Sequence, residues 1–126
     1  RMTDKVFKCD VCGNLASLLE DKGIPLNCCG QPMTELKSMT KESEGNEKHV
    51  PVMTIDGNKV KVVVGSTPHP MDQDHHIILI QIMGGDRIIA GVRLMPGEKP
   101  EAEFHLESTE NISARALCNI HGLWRS

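Results

Sequence analysis

Tyrosine is absent from this chain of 126 residues, which has two phenylalanines and one tryptophan. So few rings leave no stacking platform for nucleic-acid bases. Positive charge is not in excess either: the formal net charge is −3 at pH 7, the wrong balance for a nucleic-acid binder. No nucleic-acid partner is expected. No apolar run approaches the roughly 18 residues of a membrane span, so no membrane partner is expected. Residues 1–5 lack the apolar core of a signal peptide, which points to a cytoplasmic protein. Convincing helical periodicity is missing as well.

What the chain does have is five cysteines and six histidines. An odd cysteine count with CxxC spacing, in a sequence without an export signal, favours metal thiolates over disulfides. Cys9, Cys12, Cys28 and Cys29 make a complete four-thiolate set near the N-terminus. Cys118 stands apart, three residues before His121 in Leu117-Cys-Asn-Ile-His-Gly-Leu-Trp124. A thiolate and an imidazole at that spacing can reach one metal from a short turn. Further imidazoles lie upstream at His49, His69, His75 and His76. Such a mixed site suits iron, copper or zinc better than calcium or magnesium, which prefer oxygen.

Two units are expected. Residues 1–38 bury too little apolar surface to fold without a staple. Residues 39–46 are a polar connector by composition. From residue 47 the chain reads as strands. Val60, Val62 and Val64 share one face behind an Asp56-Gly57-Asn58 turn. Ile77–Met83 is a continuous apolar run, and Arg87–Leu94 follows. Glu101–Glu107 alternates, with Ala102, Phe104 and Leu106 inward and His105 on the solvated face. Ser113–Cys118 is expected as the last strand. Short strands between glycine and proline turns indicate an all-β protein, an antiparallel β-sandwich.

For the four cysteines, spacing alone leaves zinc and mononuclear iron about level, with a vicinal disulfide far behind. The adjacent Cys28-Cys29 pair needs a tight turn to bring both sulfurs to one ion, and the glycines after Cys12 and Cys29 suit such turns. Phe7-Lys-Cys-Asp-Val-Cys-Gly-Asn14 with Cys28-Cys-Gly-Gln-Pro-Met33 resembles the desulforedoxin-type domain of the desulfoferrodoxin family. The second unit resembles that family's superoxide reductase domain. The matching stretches are Glu47-Lys-His-Val-Pro-Val52, Gly65-Ser-Thr-Pro-His-Pro-Met71, His75 and Cys118-Asn-Ile-His-Gly122.

The resemblance implies a first iron on Cys9, Cys12, Cys28 and Cys29. It implies a second on an equatorial set of His49, His69, His75 and His121, with Cys118 axial and the sixth position open. The second domain would be immunoglobulin-like. The activity implied is the one-electron reduction of superoxide to hydrogen peroxide, with a rubredoxin-like donor restoring ferrous iron and the chain pairing as a homodimer. Lys48 would guide the anion, and Glu47 would close onto the oxidised site. Read without that context, Glu47 and Lys48 are a solvated acid–base pair beside the connector. His75 and His76 compete for one ligand position, because neighbours on an extended chain face opposite ways; the family spacing from His69 selects His75. The chain departs from the family where aromatics are common, at His76 and Leu117. Two rival readings are an electron carrier with a closed histidine site and a zinc-stapled binding module; anion binding and metal analysis discriminate them.

Overall fold

In a computed structural model of the chain, residues 4–40 and 49–126 are described. These residues form twelve strands and no helix: β1 (Val6–Lys8), β2 (Leu15–Ser17), β3 (Asn27–Cys28), β4 (Gln31–Pro32), β5 (Thr34–Glu35), β6 (Pro51–Asp56), β7 (Lys59–Val64), β8 (Ile77–Gly84), β9 (Arg87–Arg93), β10 (Glu101–His105), β11 (Ile112–Cys118) and β12 (Gly122–Arg125). It follows that no helix there is long and apolar enough to cross a membrane.

The first unit is a three-stranded sheet ordered β2-β1-β5 beside the small β3-β4 hairpin. The second is the antiparallel sandwich that the alternating segments require, with sheets ordered β10-β7-β6 and β12-β11-β8-β9. Val60, Val62 and Val64 project from β7 into the sandwich and are fully buried. They meet Ile77, Ile80 and Ile82 of β8, Ala114, Ala116 and Cys118 of β11, and Phe104 of β10. Cys118 is thus the last inward residue of a core strand, and the register between β11 and β8 shifts beside it, between Leu117 and Cys118. The expected turn at Gly57 joins β6 to β7 with a φ of 62°.

The expectation that Ser113–Cys118 ends the sheet is corrected: β12 follows, pairing with β11 from Cys118↔Gly122 to Arg115↔Arg125. Its sequence gives no alternation because both of its faces are covered. Leu123 turns towards the first unit and Trp124 towards the histidines, and both are buried. The same cause explains the unbroken apolar run of β8. Val6, Leu15 and Leu36 of the first unit pack against Ile78, Leu79, Leu117 and Leu123 on the outer face of the four-stranded sheet. Arg115 is buried in that seam; its Nε donates to Gln81 Oε1 at 2.9 Å and its Nη1 to the Asp4 carbonyl at 2.8 Å. Met39 bridges to Trp124 in parallel, donating to the Leu123 carbonyl and accepting from Arg125 N. Most of the expected connector, residues 41–46, lies outside the described residues.

Candidate metal centres

The first cluster is built by two loops. Cys9 and Cys12 lie at the start and end of the turn after β1, and Cys28 ends β3 where Cys29 opens the β3-β4 turn. The side-by-side pair converges because Cys29 takes a left-handed φ of 54° and Gly30 one of 77°. A non-glycine residue rarely sits there, and such strain concentrates at functional sites. The four sulfurs lie within 4.8 Å of one another, with Cys12 Sγ and Cys28 Sγ 3.7 Å apart, and all four thiols are free. The amides of Cys12 and Asn14 point at Cys9 Sγ (3.4 Å) and Cys12 Sγ (3.5 Å).

The thiols respond unequally. The Cys12 amide, with that of Val11, draws the Cys9 thiol down to about 6, whereas the neighbouring thiols, Cys12 first, hold Cys29 up to about 12. Cys28 is raised for the same reason, by Cys9 and then Cys12. Four sulfurs this close cannot all ionise without a cation among them, which is what a four-thiolate metal site presents.

The second cluster gathers residues from four segments. His49 precedes β6, and His69 and His75 stand in the loop between β7 and β8. Cys118 ends β11, and His121 lies in the turn before β12. That turn closes because Gly122 takes a φ of 87°, a left-handed conformation open to glycine. The four imidazoles make a closed quadrilateral. Ring centroids are 4.8 Å apart for His49–His69, 4.7 Å for His69–His75, 5.0 Å for His75–His121 and 4.7 Å for His121–His49. The diagonal His49–His75 is 6.3 Å. Ligand atoms of His49, His75, Cys118 and His121 fall within 4.8 Å of one another; His69 is outside that set but its ring closes the fourth corner.

Each donor is held in place. His69 Nδ1 lies 2.7 Å from the Pro70 carbonyl, so Nδ1 carries the proton and Nε2 keeps its lone pair. That Nε2 is buried with no hydrogen-bond partner among the described residues. Burial pushes the His69 pKa down to about 4, so the ring is neutral at physiological pH. A neutral, buried and unused lone pair on a ring beside two other imidazoles is what a metal ligand presents. His121 presents Nδ1, 3.0 Å from His49 Nε2 and 3.9 Å from Cys118 Sγ. Burial raises the Cys118 thiol, against the pull of the His121 and Ile120 amides, so a cation is needed to hold it as thiolate. The donor set fits a soft or borderline transition metal.

His75 and not His76 joins the cluster. The backbone amide of His76 donates to Asn119 Oδ1, and its Nδ1 lies 3.0 Å from the Asp72 carbonyl. His105 is exposed on β10, as its place on the polar face suggests. Glu47 and Lys48 lie outside the described residues.

Sequence reasoning missed Trp124. Its ring stacks on His49 at 4.7 Å and 17°, and its Nε1 donates to the His121 carbonyl at 3.1 Å. The available signal was that the only tryptophan stands three residues after His121. Trp124→Phe keeps an aromatic face against His49 and loses the hydrogen bond, so thermal unfolding should register a loss of about 1 kcal/mol. Trp124→Ala removes the ring from under His49 and should cost about 3–5 kcal/mol.

Comparison with known proteins agrees in both units. A family model described as desulfoferrodoxin matches residues 41–126, and one described as desulfoferrodoxin, N-terminal domain, matches residues 2–36. A desulfoferrodoxin homolog from Archaeoglobus fulgidus is 48% identical over 122 residues, spanning 97% of this chain and 95% of that protein. The crystal structure of the superoxide reductase from Treponema pallidum superposes with a TM-score of 0.75 at 26% identity, over 98% of this chain and 97% of that one. The superoxide reductase (1Fe-SOR) from Giardia intestinalis gives 0.57 at 34% identity, over 64% of this chain and 95% of that one. With both of its units matched and a near full-length relative at this identity, the chain belongs to the desulfoferrodoxin family.

Proposed function

We propose that this chain is a superoxide reductase with two iron centres, the first on Cys9, Cys12, Cys28 and Cys29 and the second on His49, His69, His75, His121 and Cys118. The observation that carries the reading is the quadrilateral of imidazoles beside a buried thiol, with the His69 lone pair unused. The superoxide reductases among the structural relatives support the choice of substrate.

When bound in the second set, ferrous iron supplies the single electron. The protein's own part is to hold and to admit. Neutral imidazoles bind without cancelling the metal's charge, and the one thiolate makes it electron-rich. His121 is the solvent-exposed member of the set, so the centre lies within reach of an anion from solvent. Superoxide gains one electron and two protons and leaves as hydrogen peroxide. Lys48 draws the anion towards a chain of net negative charge and helps deliver protons, and Glu47 covers the centre between turnovers.

A rubredoxin-like carrier returns the electron. The reaction takes place in a reducing cytoplasm, which the five free cysteines support. The chain pairs with a second copy, a reading favoured by Leu19 and Ile24 standing exposed on so small a first unit.

Pulse radiolysis of pre-reduced protein tests the activity. Hydrogen peroxide should form from every superoxide consumed, with no dioxygen released. Release of dioxygen would mark a dismutase instead.

Lys48 has its own test. A lysine next to His49 can bring a unit charge within about 6 Å of an anion at the centre, worth roughly 1–3 kcal/mol at an effective dielectric of about 20–40. Lys48→Ala should therefore slow the second-order reaction by about tenfold or somewhat more. Iron content should not change. Added salt should slow the parent more than the variant, because screening removes an attraction that the variant lacks. Equal salt slopes would make Lys48 a solvated bystander.

A further inference from the structure

His75 comes from a loop, and its position depends on what holds the backbone either side of it. The loop is closed on itself at its base: Asp72 N donates to the His75 carbonyl at 2.9 Å, and His75 N to the Asp72 carbonyl at 3.3 Å. Its free side is gripped by one residue. Asn119 Oδ1 accepts from His76 N at 2.9 Å, and Asn119 Nδ2 donates to the Asp74 carbonyl at 2.9 Å. The Asn119 amide donates to the His76 carbonyl at 3.2 Å. Three hydrogen bonds from Asn119 thus bracket His75 at residues 74 and 76.

Asn119 is itself placed by the second ligand-bearing segment, directly after Cys118 and two residues before His121. The pairing demands an amide. Aspartate has no donor for the Asp74 carbonyl, serine is too short to reach both groups, and glutamine carries one methylene too many.

We propose that Asn119 is a positioning residue of the second centre, locking the His75 loop to the Cys118–His121 turn so that donors more than forty residues apart in sequence arrive at one point. Partners that orient ligands without touching the metal are worth about 10–100-fold in metal affinity. The inference rests on the reading that these residues hold a metal, and the test keeps the two questions apart.

Metal-free full-length chain is titrated with cobalt(II), whose absorption distinguishes a four-thiolate site from one with a single thiolate. The parent should load two ions. A parent that loads only the four-cysteine site would overturn the metal reading itself. Given two ions in the parent, Asn119→Ser should weaken the second site by about 10–100-fold. It should also shift that site's absorption and leave the four-thiolate bands unchanged, which doubles as a check on folding. Asn119→Asp keeps the acceptor for His76 and loses only the donor to Asp74, so it should fall between the two. Gln73→Ser alters the His75 loop at an exposed side chain and should match the parent. Parent-like affinity and absorption in both Asn119 variants, or equal losses in Gln73→Ser, would overturn the positioning role.

Discussion

Cys118→Ser should abolish superoxide reduction while the sandwich stays folded and the first centre stays loaded. Sγ sits at the inner end of β11, 1% exposed, with the His121 amide 3.4 Å away. Serine fits that space, so the cost to folding is that of burying a hydroxyl, about 1–3 kcal/mol. The chemical change is far larger. A serine hydroxyl stays protonated where a thiol under a metal ion ionises, and oxygen is a hard donor where sulfur is soft. The centre would lose its one anionic, electron-donating ligand. A rate loss of at least about a hundredfold is expected, which is roughly 2.7 kcal/mol of barrier. Pulse radiolysis measures it, with circular dichroism and iron content as controls. Near-normal reduction with iron still bound would remove Cys118 from the ligand set.

The double replacement Cys9→Ser and Cys28→Ser should empty the first centre and leave the second working. With two of four thiolates gone the tight turn at Cys29–Gly30 loses its reason to hold, and its left-handed backbone is free to relax. Folding and metal binding are one process in such small units. Hydrogen exchange should accelerate across the cysteine loops. The apolar seam of Val6, Leu15 and Leu36 on the outer sheet does not run through the cysteines. The histidine quadrilateral lies elsewhere, so chemically pre-reduced variant should reduce superoxide at the parent rate. Loss of that activity would show that the units depend on each other.

The residues that could be read from sequence are those whose pattern has one cause. Val60, Val62 and Val64 alternate because one face of β7 is buried and the other wet, and the Asp56–Asn58 turn follows the same logic. The cysteine and histidine positions were legible from spacing and family resemblance, and the fold brings them together in two places. β12 was missed because two different neighbours cover its faces, which erases alternation. Trp124 and Asn119 were missed for a related reason. Their work is to hold ligands, and nothing in a single sequence distinguishes a holding side chain from an ordinary turn residue or core ring.

The seam between the units also bears on colloidal behaviour. β12 is the border strand of its sheet, and Met39 occupies its open rim through two backbone hydrogen bonds. A chain cut after residue 40 would lose that guard. It would also bare Ile78, Leu79, Leu117 and Leu123 to water next to the freed rim. Arg115 would be left amid the patch without the Asp4 carbonyl that now accepts from it. An unguarded strand border flanked by aliphatic side chains is a template for adding further copies. The small first unit therefore also covers a strand border and an apolar patch that would otherwise stand open to such addition.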